Sequence, residues 1–218
     1  MITLPVIHLQ SEEQVLRNAD IAFQAGADGV FVICMDGADH VVPAAGKAIK
    51  ERFPEKQVGI NLLHCPAFQA IAMTRAFGLD MTWHDAPGIA NGYVDASVYD
   101  LVPAGHTFFG SVAFKYQKAD ATLEWSALMA ARYGMIPTTS GRATGKAPAV
   151  EKVKRMFDKL MAERVTPTLQ LAVASGLTPE NIHEFKPYIT HALVCTGVSS
   201  SFYEFNPERL KAFVEAAT

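Results

Sequence analysis

The sequence predicts an α/β fold, a single compact (βα)8 barrel of the TIM type spanning residues 1 to 218, and three observations carry that expectation. Short apolar runs alternate with segments of helical periodicity from one end of the chain to the other. Eight such units follow one another, and no linker, low-complexity stretch or composition break divides them. A doubly wound open sheet would use similar units but leave two edges, whereas closure removes both.

The first strand is read at Thr3 to Leu9. Its helix opens at Ser11, with Glu12 and Glu13 in the first turn, and closes at Gly26. A second strand, Gly29 to Cys34, leads to a helix from Ala38 to Phe53 that Pro54 ends, and the third strand runs from Val58 to Leu63. A third helix, Pro66 to Phe77, precedes a short fourth strand, Met81 to Asp85. An irregular stretch through Gly92 and a weak helix near Ala96 to Val102 complete that unit. The fifth strand is Thr107 to Lys115 with its helix at Leu123 to Tyr133, and the sixth strand is Met135 to Thr139. A Gly-rich loop and a helix from Val150 to Glu163 follow. The seventh unit pairs Thr168 to Ala174 with Thr178 to Ile189, and the eighth pairs Ala192 to Cys195 with Pro207 to Ala216.

Half of the residues are apolar and 19% charged, enough to bury a large core and unlike a disordered or fibrous chain. The net charge of −3 arises from 22 acids against 19 bases, and no stretch concentrates Lys and Arg, so no nucleic-acid partner is expected. Met1 to Leu9 lacks a basic leader and a small-residue cleavage site. No window approaches the ~20 apolar residues of a membrane span, so no membrane partner and a cytoplasmic location are expected. Cys34, Cys65 and Cys195 are widely spaced in apolar stretches, which suits reduced, buried thiols rather than disulfides or a zinc loop.

In this architecture chemistry gathers at the carboxyl ends of the strands. The polar residues there are His8, Asp36, Asn61 with His64, His84 with Asp85, Lys115, the Thr139 to Lys146 loop, Ser175 with Gly176, and Thr196 to Ser201. Three strand-to-helix loops carry small hydrogen-bonding residues: Ser140, Gly141, Arg142, Thr144 and Gly145 on the sixth, Ser175 and Gly176 on the seventh, and Thr196, Gly197 and Ser199 on the eighth. Glycine lets backbone approach an oxyanion, and N–H groups at a helix start supply donors, so together these loops predict a phosphate or other anion site. Arg142 or Lys146 would add positive charge. The competing explanation is that the glycines only permit tight turns and that Thr178 caps its helix ahead of Pro179. Gly141 to Lys146 is one residue short of a nucleotide P-loop, and Ala147 stands where Ser or Thr is needed.

Strand alternation puts Ser111, Ala113 and Lys115 on one face, the face with the smaller side chains, which directs Lys115 toward the barrel axis. A lysine there can bind an anion, donate a proton or form a Schiff base, and the alternative is a lysine that snorkels to the rim. Asp85 and Asp36 are candidate general bases. No cofactor is required outright; Mg2+ shared with phosphate is the option these carboxylates leave open, and the metal ligands are unknown. His8, Asn61 and His84 are expected to line the pocket. Trp83 and Tyr116 are candidate walls for a planar ligand, aromatic packing being the alternative.

Thr139 to Gly145 (T-S-G-R-A-T-G), Ala174 to Asn181 (A-S-G-L-T-P-E-N), Val194 to Ser199, and Val58 to Leu63 (V-G-I-N-L-L) resemble the BtpA/SgcQ family of barrel proteins. The likeness is specific over Met135 to Phe213, while the acidic pattern expected after strand two is reduced to Asp36. It implies a ribulose-phosphate-binding type of barrel, with Ser140, Gly141, Thr144, Gly145, Ser175, Gly176 and Gly197 at phosphate and Lys115 at the end of strand five. Val198 to Val214 is also similar to phosphoribosylanthranilate isomerase, a family with a catalytic Cys at the end of strand one, where this chain has His8. The expected function is a metabolic lyase, isomerase or transferase acting on a sugar-phosphate or nucleotide-like compound. The alternative is a non-catalytic binding or assembly barrel, and either leaves a homo-oligomer open.

Overall fold

Alternating inner and outer rows of apolar residues dictate a closed sheet wrapped by helices, and the computed structural model, which describes residues 1–98, 100–117, 120–164 and 169–218, has that form. The first half supplies β1 (Ile2–His8), α1 (Glu12–Gln24), β2 (Gly29–Ile33), α2 (Val42–Arg52), β3 (Gln57–Asn61), α3 (Ala67–Ala76) and β4 (Met81–His84). A small hairpin, β5 (Ile89–Ala90) with β6 (Tyr93–Val94), precedes β7 (Thr107–Ser111). Then come α4 (Leu123–Arg132), β8 (Ile136–Thr139), α5 (Val150–Ala162), β9 (Ala172–Ala174), α6 (Ile182–Phe185), β10 (His191–Val194) and α7 (Pro207–Ala217). The eight barrel strands pair in parallel around the ring, and β10 joins β1 with Pro5 opposite Val194 to close it.

Several boundaries differ from expectation, each for a local reason. No α-helix follows β4 where Ala96 to Val102 was expected; a 3-10 turn at Ala96–Val98 stands there instead. Left-handed Gly88, Asn91 and Gly92 turn the chain into the hairpin, and the Asp95 carboxylate accepts the Ser97 N–H, which favours a turn over a helix. The helix expected at Thr178 to Ile189 shrinks to one turn. Thr178 N–H donates to Asn181 Oδ1 and Asn181 N–H to Thr178 Oγ1, a reciprocal turn that delays helix entry, and Pro187 stops it. Ser11 caps α1 as expected by accepting the Gln14 N–H at 3.2 Å. Thr168, the expected start of the seventh strand, lies outside the described residues.

Two apolar layers follow from strand alternation. Val30, Val32, Val58, Ile60, Phe108 and Val173 face the helices. Leu4, Val6, Phe31, Met81, Phe109 and Leu193 are among the residues that fill the barrel. Phe31 meets Phe109 edge-on at 5.3 Å between centroids and Trp83 at 5.9 Å, and Trp83 Nε1–H donates to Ser111 Oγ at 2.9 Å. This aromatic plug needs Gly59 beside it, because a Cβ there would lie 2.4 Å from Phe31 Cε1. At the floor, His191 packs 5.3 Å from Phe109, and burial lowers its pKa to about 4 from 6.5.

Gly59→Ala is expected to cost about 1–3 kcal/mol of unfolding free energy in chemical denaturation, since the interlocked Phe31 ring has no room to retreat. His191 gives a pH signature. Between pH 6.5 and about 4 the unfolded chain binds a proton that the folded chain refuses, so stability present above the unfolded value is lost as pH falls through this window. Unfolding free energy measured from pH 7 to 4 should fall more steeply in the wild type than in His191→Phe, and equal slopes would rule the effect out.

Candidate active site

Where the inner rows run out of apolar residues, polar groups take over at the carboxyl end of the barrel. The row Leu4, Val6 on β1 continues to His8, Gly59 on β3 to Asn61, and Leu193 on β10 to Cys195. Asn61 is fully buried, and its Nδ2 donates to Asp85 Oδ1 at 2.9 Å across the β3–β4 pair. Burial raises the Asp85 pKa above the ordinary carboxyl value, while the Asn61 hydrogen bond and the charges of Lys115 and His84 pull it partly back. Asn61 Oδ1 is buried with no hydrogen-bond partner among the described residues.

Lys115 reaches this group by another route than strand alternation. β7 stops at Ser111; Val112 N–H still donates to Thr138 O, but Ala113 adopts a φ of 48° and turns the chain away from the sheet. The Lys115 backbone N–H then donates to Ser140 Oγ at 2.8 Å, which anchors the residue over the end of β8. The side chain is half-buried, with its ammonium 5.3 Å from the Phe114 ring centre. Its charge bears on Asp85, on His8 and on Cys195.

On the far side of the mouth, β1 and β10 are neighbours, and their terminal residues meet. His8 Nδ1 lies 2.9 Å from Phe202 O, and its ring packs 4.3 Å from the Phe202 ring. Cys195 Sγ is 3.6 Å from His8 Nε2. Burial lowers the His8 pKa, the Phe202 carbonyl opposes that shift and the Lys115 charge adds to it. Burial also pushes the Cys195 thiol up to about 11. Sequence reasoning placed Cys195 among reduced, buried thiols; the signal that it faces the mouth was the parity of β10 and the adjacency of first and last strands in a closed barrel.

Loops six, seven and eight interlock. A Cβ on Gly141 would sit 2.1 Å from Lys146 O, one on Gly176 1.9 Å from Ala147 N, and one on Gly197 1.9 Å from Leu177 O. Gly141 lets loop six fold back on itself, and Gly176 and Gly197 let loops six, seven and eight cross in backbone contact, so close packing accounts for them before any ligand does. Gly145, at a φ of 74°, faces Thr196 Oγ1, and its N–H donates to Oγ of Ser175, itself left-handed at a φ of 86°. Ser199 Oγ–H donates to Cys195 O at 2.8 Å, and Tyr116, exposed on loop five, shares a hydrogen bond with Thr144 Oγ1. Thr196 is exposed beside them.

A cleft of about 950 Å³ lies beside the mouth, between loops five and six, lined by Tyr116, Ser140, Arg142, Lys146, Lys152 and Arg155 among others. Asp85, Asn61 and His8 do not line it. Arg142 and Lys146 have no carboxylate partner among the described residues, whereas Arg155 pairs with Glu124. Lys152 donates to Ala113 O and Ser140 O and so ties the ends of β7 and β8 together; burial lowers its pKa to about 8.

Other expected residues stand apart. Asp36 is exposed on loop two, where its carboxylate accepts the Tyr203 hydroxyl at 3.3 Å. His84 faces away from the axis, with Nε2 against Cys65 O and Nδ1 accepting the Ala86 N–H, so both ring nitrogens are occupied in fastening loops. His64 pairs with Asp39 on the surface, and Trp83 belongs to the core. Among the described residues no three His, Cys, Asp or Glu side chains converge to hold a metal ion. None of the described helices is long and apolar enough to cross a membrane.

No protein-family model and no curated protein sequence matches the chain, so the BtpA/SgcQ resemblance rests on the motifs alone. Solved structures do match. The chain is similar to a 3-hexulose-6-phosphate synthase at a TM-score of 0.72 and 12% identity, covering 100% of both chains. It is similar to the phosphoribosyl anthranilate isomerase of Thermus thermophilus at 0.71 and 16%, covering 99% of this chain and 98% of that one. A thiamine phosphate pyrophosphorylase of Pyrococcus furiosus matches at 0.67 and 12%, covering 99% and 95%. At these identities the likeness establishes the closed α/β barrel.

Because the Lys115 charge lowers the His8 pKa, Lys115→Met should raise the midpoint of the His8 ring resonances in an NMR titration. An unchanged midpoint would place the ammonium away from the ring.

Proposed function

We propose that the chain is an enzyme with its active site at the barrel mouth, acting on a sugar phosphate or a comparably anionic small molecule. The observation that carries this reading is the half-buried Asp85 carboxyl, held by Asn61 and facing the Lys115 charge at the end of the barrel where such folds place their chemistry. A carboxyl whose pKa is raised by burial exchanges protons near neutral pH more readily than an ordinary one, and a neighbouring ammonium stabilises an oxyanion that develops as a proton leaves carbon. Lyase, isomerase and transferase reactions at a carbonyl share that step. Asp85 suits the proton-transfer role better than Asp36, which is solvated and bound to Tyr203.

For the anion, loops six to eight supply Thr144, Ser175, Thr196 and Ser199 around crossing backbones, with Arg142 and Lys146 on the adjoining side as cations that have no carboxylate partner among the described residues. The motif resemblance to BtpA/SgcQ proteins and the phosphorylated compounds in the names of the structural neighbours support the same ligand class. Mg2+ enters this reading only as an ion carried with the phosphate, since the described residues gather no ligand set of their own.

A thermal-shift panel of inorganic phosphate, pentose and hexose phosphates, each with and without Mg2+, tests the reading. A ligand at 100 times its Kd should stabilise the fold by about 2.7 kcal/mol. Thr196→Asp, which places a negative charge on an exposed loop position without a backbone clash, should abolish most of that shift, and Lys115→Met should remove turnover while leaving the fold intact. A flat panel would overturn the proposal in favour of a non-catalytic barrel.

A further inference from the structure

We propose that Cys195 and His8 form a nucleophile–base pair at the barrel mouth, able to make a covalent bond to the carbonyl carbon of an aldehyde or ketone held there. The proposal deepens the reading of the mouth as a ligand site and adds a reactive group to it.

The pair is built by topology. β10 and β1 run side by side, so the inward residues at their carboxyl ends face each other across 187 positions of sequence, with Cys195 Sγ 3.6 Å from His8 Nε2. The orientation of the base follows from its other nitrogen. Nδ1 faces the Phe202 carbonyl at 2.9 Å, and a carbonyl only accepts, so Nδ1 carries the hydrogen and Nε2 presents its lone pair to the thiol. Nucleophile, base and a third group that orients the base are the parts by which such a pair is recognised.

The surroundings separate this cysteine from the other two. Cys34 is buried, and Cys65 is half-buried, with burial first and then the Asp39 charge opposing thiolate formation. Cys195 is half-buried at the mouth, where the Lys115 charge and the Ser199 hydroxyl both favour its thiolate. Its resting state is nevertheless the neutral thiol beside a neutral imidazole, because burial disfavours both charged forms. An independent sign of a ligand lies in the same polar layer: Asn61 Oδ1 is buried and unpartnered among the described residues, an acceptor that a ligand hydroxyl would satisfy.

The step balances within the site. As Sγ bonds to the carbonyl carbon, the thiol proton passes to His8 Nε2 and the C=O π pair moves to oxygen. The imidazolium then returns the proton to that oxygen, giving a hemithioacetal with no net oxidation or reduction. The Lys115 charge, which bears on Cys195, would stabilise the oxyanion as it develops.

Iodoacetamide tests the pair without any substrate: the S–C bond forms, iodide leaves, and His8 takes the thiol proton. Peptide mapping of the folded protein should find Cys195 labelled, with no label at that position in Cys195→Ser. His8→Asn keeps a donor for Phe202 O but removes the base, and should slow labelling of Cys195 at least about tenfold at an unchanged melting temperature. Equal Cys195 rates in wild type and His8→Asn, or label confined to Cys65, would overturn the proposal. Ribose 5-phosphate should protect Cys195; fast, His8-dependent labelling without protection would support the pair and count against the sugar-phosphate reading alone.

Discussion

The pairing of β10 with β1 is the constraint on which the rest of this structure depends. Closure satisfies the backbone of both would-be edge strands, and it turns eight separate inner rows into one shared interior. Phe31, Trp83 and Phe109 come from three strands and pack edge-on only because the ring of strands holds them at that distance. The same closure sets His8 against Cys195, as the β3–β4 pairing sets Asn61 against Asp85, so the polar layer at the mouth is a continuation of the core rather than an addition to it.

Above the strands, precision comes from contact between loops. Gly141, Gly176 and Gly197 each sit where another backbone passes too close for a side chain. Lys152 reaches up from α5 to bond the ends of β7 and β8, and Ser140 bonds the Lys115 backbone. That bond fixes the backbone from which Lys115 extends before any ligand arrives, which lowers the ordering cost of binding.

Much of this was legible in the sequence and the remainder was hidden for identifiable reasons. The alternation of apolar runs and amphipathic segments foretold the barrel, and Ser11, Gly26 and Pro54 marked turns that the structure keeps. Lys115 and Asp85 were found as strand-end polar residues. The route to Lys115 was not, because period-2 patterning through Ala113 looks the same whether or not the chain bends there, and the bend is imposed by contacts with loop six. His84 looked like a pocket residue because parity at a short strand is easily misjudged; Met81 and Trp83 take the inner row and leave His84 outside it. Cys195 lies within the Val194 to Ser199 motif, but nothing in that motif marks its neighbour His8, which comes from the first strand.

The segment Ser199 to Phe205 folds back as a small bridge whose Tyr203 carbonyl accepts from Gln14 and Asn18 of α1, while Phe202 covers His8. Contacts spanning 194 residues are slow to find during folding, since the loop they close must be ordered first. During folding the amino-terminal strands therefore wait for residues as far as 194 positions away, and the mouth is completed only when β10 and the Ser199 to Phe205 clasp close on them. Until that strand and clasp complete the ring, His8 has neither Cys195 nor the Phe202 carbonyl beside it.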